Sequence, residues 1–530
     1  MTRWTYLFAV AAIALVMPAL AQGPQPAAQG APQAPQGGPP AGRPGGPGGG
    51  GRGPFVPSGP GRSNNPFSAP IPADEAVVTV KLSEFASLPD AVAAAGPQAA
   101  RMNLVLDEPG TKRLFVNVMT GTLYTISYDG KRVAPYLDIN DPKWATPVQS
   151  GNTEQGFQSF AFHPQFAQAR TPGYGKFYTW VDTSNTMPMP DFTPSGNGRT
   201  HDEVLLEWTA KTPGAKAYDG GAPRELVRLR QPFANHNGGH LAFNPLTPAN
   251  NPDFGLLYMG IADGGSGGDP MKLAQNLGSA FGKIFRIDPL GTTSGQKYGI
   301  PVGNPFVKQE GALPEIYAYG VRNPQRLAWD SRNGNMFVAD IGQNIVEEIS
   351  PVTAGANLGW NDWEGSFRFI SRQAVSLEKP RSDPKVTYPI VEWGQTDPLL
   401  QANSAASGLI VYRASQIPQL ANLVIFTDMP SGEIFYVNAD KLPAGGQDPM
   451  RRILLNSGGS AKTMLEVIQE KNKAQGKPPS PRSDLRISFG PDSQVFLLNK
   501  GDGTIRLLVP DRQVSGIRDQ GSGIREIDAD

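Results

Sequence analysis

The sequence predicts an all-β chain, a six-bladed β-propeller with long inserted loops, and two observations carry that expectation. One is a recurring unit: a short apolar strand, a turn rich in Pro, Asp, Gly and Asn, then a second apolar-aromatic strand, often followed by a third. The other is the scarcity of helical periodicity between those units. β-branched and aromatic residues suit the pleated, half-buried surface of antiparallel strands. Six small sheets of this kind limit their open edges best when arranged radially. The competing architecture, two β-sandwich domains, gives no reason for one unit to recur along the whole region.

Taken in order, Leu104-Val-Leu leads to Leu114-Phe-Val-Asn-Val and Gly121-Thr-Leu-Tyr. Phe160-Ala-Phe-His-Pro leads to Phe177-Tyr-Thr-Trp-Val, and Leu241-Ala-Phe-Asn-Pro to Leu257-Tyr-Met-Gly-Ile-Ala-Asp. Leu327-Ala-Trp-Asp leads to Met336-Phe-Val-Ala-Asp, and Leu409-Ile-Val-Tyr to Leu423-Val-Ile-Phe and Gly432-Glu-Ile-Phe. The last unit runs from Ile487-Ser-Phe through Val495-Phe-Leu-Leu to Gly503-Thr-Ile-Arg-Leu. The starts lie farther apart than the ~40–50 residues of an ordinary blade, so long loops are inserted, and such loops commonly carry function. Two short helices are expected: Met271–Leu277 after Asp269-Pro270, and Thr463–Lys473, whose Glu466 and Glu470 share a face.

The termini differ from this pattern. Arg3, the apolar run Tyr6–Met17 and the small-x-small triplet Ala19-Leu20-Ala21 predict a secretory signal peptide over residues 1–21, cleaved before Gln22. Its apolar run is too short for a comfortable membrane span, and no later segment is apolar enough for one. Glycine and proline fill over half of residues 22–72, which cannot pack a core and read as a flexible linker. The propeller is expected over 73–511 and a polar tail over 512–530. The expected location of the mature chain is secreted and periplasmic.

Lys+Arg 47 balance Asp+Glu 47, so no global field steers the chain toward nucleic acid or an anionic membrane. The absence of cysteine excludes a disulfide framework and thiolate metal sites.

Chemistry concentrates around Asn235-His236-Asn237-Gly238-Gly239-His240. An imidazole titrates near neutrality and can serve as a general base, and glycines let backbone or ligand approach closely. The plainer reading is a glycine turn with His236 merely hydrogen-bonded. His236 and His240 at i, i+4 lack a third ligand of diagnostic spacing for a metal pair. Asp263-Gly-Gly-Ser-Gly-Gly-Asp269 is either a flexible surface loop or a ligand set for a hard cation. His163 reads as a turn residue, and Trp360 and Trp363 as sugar-stacking or core aromatics.

Further along stand Gly282-Lys-Ile-Phe-Arg-Ile-Asp, Gly320-Val-Arg322-Asn323-Pro-Gln, Gly342-Gln343, Glu347-Glu348-Ile349 and Gly355-Ala-Asn-Leu-Gly-Trp360. In this order the motifs resemble those of the glucose/sorbosone dehydrogenase family, soluble sugar dehydrogenases that use pyrroloquinoline quinone (PQQ), over about Leu104 to Pro510. The resemblance implies a six-bladed propeller that oxidises an aldose at C1 to the lactone with PQQ and Ca²⁺ and passes electrons to an external acceptor. It implies that His236 is the base and that Arg322 and Asn323 lie against the cofactor, His236 and Arg322 flanking its flat ring system. Gly342 and Gln343 match the positions whose carbonyls hold Ca²⁺, and Glu154 or Gln155 the polar group near the quinone. Asn235 joins the cofactor-binding set.

The sequence also departs from the family. Met429-Pro430 stand where members carry a lysine, and Ser483-Asp484-Leu485-Arg486 align with an Arg-x-Arg-Asp. His240 stands where an arginine is more usual. PQQ bears three carboxylates, so these positions bear on affinity, and Arg482, Arg486 and Arg413 offer replacement cations. The alternative reading is a propeller that has lost cofactor binding and acts as a carbohydrate- or protein-binding module.

Overall fold

The computed structural model describes residues 65–510, apart from 94–95, 195, 197, 294 and 401–403. The expected leader, the tail and most of the linker lie outside the described residues. The described residues are nearly all-β. Four sheets each hold four antiparallel strands, and each begins on one of the recurring units. The first comprises Met102–Asp107, Arg113–Val118, Thr122–Ser127 and Val133–Asp138. The second comprises Phe157–Phe162, Lys176–Thr183, His201–Thr209 and Arg224–Gln231. The third holds Leu241–Phe243, Leu257–Ile261, Lys283–Ile287 and Ile316–Tyr319, and the fourth Pro324–Trp329, Met336–Asp340, Val346–Val352 and Val391–Gly394.

The two remaining units merge in a nine-stranded sheet. Ala406–Tyr412, Leu423–Asp428, Ile434–Asn438 and Arg451–Ser457 form one half, and Arg486–Phe489, Val495–Leu498 and Thr504–Val509 belong to the other. Val78–Ser87 joins them, antiparallel to Thr504–Val509 and parallel to Arg451–Ser457, so the N-terminal strand completes the C-terminal sheet.

The leading strands of the sheets follow one another in a closed circuit. Met102–Asp107 lies against Phe157–Phe162, which lies against Leu241–Phe243; Leu257–Ile261 meets Pro324–Trp329. Pro324–Trp329 then meets Ala406–Tyr412, followed by Arg486–Phe489, which returns to Met102–Asp107. Apolar layers fill the spaces between sheets, such as Phe337, Trp393, Phe426 and Phe435 between the fourth and fifth units. Each such side chain, fully buried, stabilises the fold by roughly 1.5–3 kcal/mol.

Folded structure begins earlier than composition suggests. Ile71, inside the expected linker, is buried and donates its N–H to Asp397 at 2.9 Å, while Phe67 packs edge-on against Phe367. The helix Met464–Ala474 forms as expected, with Thr463 and Glu466 exchanging capping-box hydrogen bonds. The expected helix at Met271–Leu277 does not. Asp269 and Lys272 adopt positive φ, and the Asp269 carboxylate caps a tight turn by accepting the Leu273 and Ala274 N–H groups, each at 2.9 Å. A short side chain that bonds nearby backbone competes with helix formation in this way.

Candidate functional site

His236 lies on the loop between the second and third sheets, with a left-handed backbone (φ 60°). That conformation is costly for a residue with a Cβ, and two side chains hold it. The Glu154 carboxylate accepts the His236 N–H at 2.8 Å, and the Gln231 amide donates to the His236 carbonyl at 2.8 Å. Gly239 is needed behind it, since a Cβ there would run into the Gly260 carbonyl.

The ring is gripped at both nitrogens. Nδ1 lies 2.6 Å from Asp263 Oδ1, and Nε2 lies 2.7 Å from an Arg322 Nη2. A carboxylate only accepts and a guanidinium only donates, so Nδ1 carries the proton and Nε2 presents its lone pair. His236 and Arg322 therefore touch directly, rather than facing each other across a gap as the family resemblance implies. Asp263 sits just past Leu257–Ile261 and also accepts from the Trp360 indole at 2.9 Å and the Gly265 N–H at 2.9 Å. Burial alone would raise Asp263, but the adjoining His236 and Arg322, together with these bonds, hold it below the usual carboxylate range.

Asp340 ends the second strand of the next sheet and orients the other half. Its two oxygens accept the Arg322 N–H at 2.8 Å and the Asn323 N–H at 2.6 Å. Burial pushes Asp340 up to about 7 despite those bonds. Arg322 also donates to the Ile341 carbonyl at 2.8 Å, with its guanidinium 5.8 Å from the centre of the Trp360 ring.

A small cavity opens beside Arg322, lined by Asp340, Gly342, Glu348, Trp360 and Glu364 among others. Glu348 and Glu364 are buried, and each leaves one carboxylate oxygen without a hydrogen-bond partner. Burial, then the neighbouring charges of Asp340, Glu392 and Glu364, push Glu348 well above the usual range. Rich in carboxylate oxygens, with Arg322 as the one basic residue in its lining, this corner suits a hard divalent ion, whose charge would favour the ionised carboxylates. Gly342 lines it, and the side chain of the next residue, Gln343, accepts the Gly268 N–H at 2.6 Å.

Cations gather elsewhere in the site. Arg482 pairs with Asp484 at 2.6 Å and reaches Met429 Sδ at 3.2 Å, while Arg486 donates to the Asn103 side chain at 2.9 Å. Arg101 and Lys500, unmarked by the sequence reading, join them. Arg101 donates to the Ser150 carbonyl at 3.1 Å and Lys500 to the Thr153 carbonyl at 3.2 Å, on the loop that carries Glu154. Burial and mutual repulsion lower Arg486 to about 10 and Lys500 well below its ordinary value. Asp484 alone pairs with this set among the described residues, so the cluster keeps a surplus of partly buried positive charge that an anionic ligand would relieve.

The structure thus brings Glu154, His236, Arg322, Asn323 and Gly342 to one place, and Asn235 adjoins it by two hydrogen bonds to Ser266. Gln155 turns away: its amide joins Gln149 and His201. Arg413 is committed elsewhere, to Asp330 at 2.6 Å and Asp440 at 2.5 Å. Asp263 and Asp269 are both buried, and their carboxylates are engaged by His236, Trp360 and backbone N–H groups. Trp360 and Trp363 are buried, and Trp360 orients Asp263 instead of offering a stacking face. His163 is a buried turn residue whose Nδ1 accepts the Gln165 N–H at 3.1 Å.

Residues 104–453 match the model of the family described as glucose / sorbosone dehydrogenase. HIPL1 protein of Arabidopsis thaliana is 27% identical over 362 residues, 62% of this chain and 51% of that protein. Aldose sugar dehydrogenase YliI of Escherichia coli is 26% identical over 323 residues, 60% of this chain and 74% of that protein. The chain spans about half the length of the first curated relatives it matches. Among solved structures, a PQQ-bound aldose sugar dehydrogenase from Streptomyces coelicolor superposes with a TM-score of 0.50 at 18% identity, over 81% of this chain and 98% of that one. At that identity the likeness speaks to fold alone. Among the described residues, no helix is long and apolar enough to cross a membrane.

Proposed function

The chain belongs to the glucose/sorbosone dehydrogenase family, and from that premise we propose that it oxidises an aldose at C1 to the lactone, with PQQ and Ca²⁺ as cofactors. The observation that carries the reading is the Asp263–His236–Arg322 relay, an oriented imidazole with its lone pair aimed into the site. We read the four separate sheets and the two halves of the nine-stranded sheet as six blades, closed by Val78–Ser87.

The residues fit both cofactors. The surplus of positive charge around Arg482, Arg486, Arg101 and Lys500 suits a ligand with three carboxylates and offsets the lysine replaced by Met429-Pro430. The unpartnered oxygens of Glu348 and Glu364, beside Gly342 and Gln343, suit calcium. When bound, PQQ would accept the hydride from the sugar C1, with Ca²⁺ as Lewis acid.

The protein's own part is proton transfer and charge placement. A substrate hydroxyl displaces the Arg322 contact and gives its proton to His236 Nε2. Asp263 holds Nδ1–H and stabilises the imidazolium that results. The freed guanidinium, kept in place by Asp340 through its backbone and by the Ile341 carbonyl, faces the negative charge that develops. Glu154 fixes the backbone at His236 and Asp340 fixes it at Asn323. The N-terminal pattern supports an exported, periplasmic protein that hands electrons to an external acceptor.

The second reading, a carbohydrate- or protein-binding propeller without turnover, draws on Met429-Pro430 and on the direct contact that occupies His236 Nε2. Titrating the protein with PQQ in the presence and absence of Ca²⁺, then assaying dye reduction with a panel of aldoses, separates the two. Calcium-dependent PQQ binding with turnover of at least one aldose supports the enzyme. Absence of PQQ binding gives the case to the binding module.

A further inference from the structure

A second cluster of ligand-type side chains lies under the His236 loop. In the second sheet Glu203 stands directly across from Asp182, and His201 precedes Glu203 by two residues on the same face. All three are buried, and one ligand atom from each lies within 4.8 Å of the others. Like charges directly opposed across strands are destabilising, and no lysine or arginine pairs with either carboxylate among the described residues. Arg228 and Arg199 are bound to Asp202, the residue between His201 and Glu203 that points to the other face.

The polar groups around the cluster are mismatched. Gln155 Oε1 accepts from Gln149, which fixes that amide so that its Nε2 hydrogens face His201 Nδ1 at 3.0 Å. Nε2 is then the protonated nitrogen of a neutral ring and faces Asp182 Oδ1 at 3.1 Å. Yet Asn237 Nδ2, another donor, lies 2.7 Å from the same Nε2. Asn237 is 2% exposed, and its Oδ1 accepts no hydrogen bond although it lies one amide width from that contact. Turning the amide gives up its hydrogen bond to the Glu203 carboxylate and points Oδ1 into the space between Asp182, His201 and Glu203.

From this arrangement we propose that Asp182, His201, Glu203 and Asn237 form a structural site for one divalent transition-metal ion of the zinc class. Two carboxylates neutralise the charge, and the amide oxygen supplies a further ligand. On binding, the ring proton moves to Nδ1, where Thr200 Oγ1 at 2.8 Å accepts it, and the freed Nε2 lone pair becomes the fourth ligand. One nitrogen and three oxygens suit tetrahedral zinc, whereas calcium asks for six to eight oxygens. The site is closed, so the ion has no open position for substrate. Its consequence is mechanical. Asn237 follows His236, and Gln231 bonds both the Glu203 carboxylate at 3.2 Å and the His236 carbonyl at 2.8 Å, so the ion staples the catalytic loop to the sheet.

The test uses untagged full-length protein, stripped with chelator and titrated with Zn²⁺ without PQQ. Metal content and the thermal midpoint are read for wild type, Glu203→Gln and His201→Gln. We expect one equivalent of zinc in wild type, a midpoint several degrees higher with metal than without, and at least a tenfold weaker affinity in each variant. Uptake of less than a tenth of an equivalent by folded wild type at saturating zinc overturns the proposal. So does uptake by either variant, folded by circular dichroism, that equals wild type. The wild-type stoichiometry stands on its own if a variant does not fold, and none of these readouts depends on turnover.

Discussion

Arg322 Nη2 lies 2.7 Å from His236 Nε2, and the two residues meet from the ends of different sheets, 86 positions apart in the chain. The contact settles which imidazole nitrogen holds the proton, since a guanidinium cannot accept one. It also makes Arg322 a guard on the base: substrate must take its place before Nε2 can receive a proton. Arg322→Lys shortens and narrows the donor, so we expect kcat to fall by on the order of 10²-fold with the fold intact. Steady-state kinetics beside a circular-dichroism melt checks this.

Asp263→Asn tests the other side of the ring. The amide offers one accepting oxygen where the carboxylate accepts three hydrogen bonds, from His236, Trp360 and Gly265. We expect kcat to drop by on the order of 10²-fold or more with KM little changed, because orientation and imidazolium stabilisation are lost together. Trp360→Phe, which removes one of those donors, should cost less, about tenfold.

The cation cluster predicts how the cofactor binds. Arg482→Ala and Lys500→Ala should each raise the Kd for PQQ about tenfold or more, the scale of one charge-assisted hydrogen bond. Binding by the wild type should also weaken as salt rises. Arg413→Ala, whose side chain is held by Asp330 and Asp440, should leave the Kd unchanged. Fluorescence titration at two ionic strengths measures all three.

His163 predicts a pH dependence of stability. Burial lowers it to about 4, whereas an imidazole in the unfolded chain titrates near ~6.5. Between those values the unfolded chain takes up a proton that the folded chain refuses, so stability falls as pH drops through that window and levels off below it. The contribution reaches about 3 kcal/mol at its limit. Urea midpoints at pH 7 and pH 4.5 should differ less in His163→Asn than in wild type.

Much of the scaffold was legible because its leading strands carry short apolar runs, such as Phe160-Ala-Phe and Leu409-Ile-Val-Tyr. Phe157–Phe162 and Ala406–Tyr412 are buried at every position and read as strands without context. The outer strands were not legible. Val133–Asp138 carries a proline and exposed positions, and Val78–Ser87 pairs with a strand more than four hundred residues away. No local signal announces such a partner. The site divides in the same way. His236 and Arg322 stood out through their glycine and Asn-Pro neighbours. Asp263 looked like the rim of a flexible loop, because its bonds to His236 and Trp360 span 27 and 97 residues. Arg101 and Lys500 gave no motif at all; only the folded chain brings them beside Arg482.

Dye-linked oxidation of an aldose by the protein loaded with PQQ and Ca²⁺, wild type beside His236→Ala, tests the central claim most directly. We expect calcium-dependent turnover in the wild type and a loss of about 10²- to 10⁴-fold in the variant, with PQQ still bound. A variant that binds PQQ and turns over at the wild-type rate would contradict the assignment of His236 as the base.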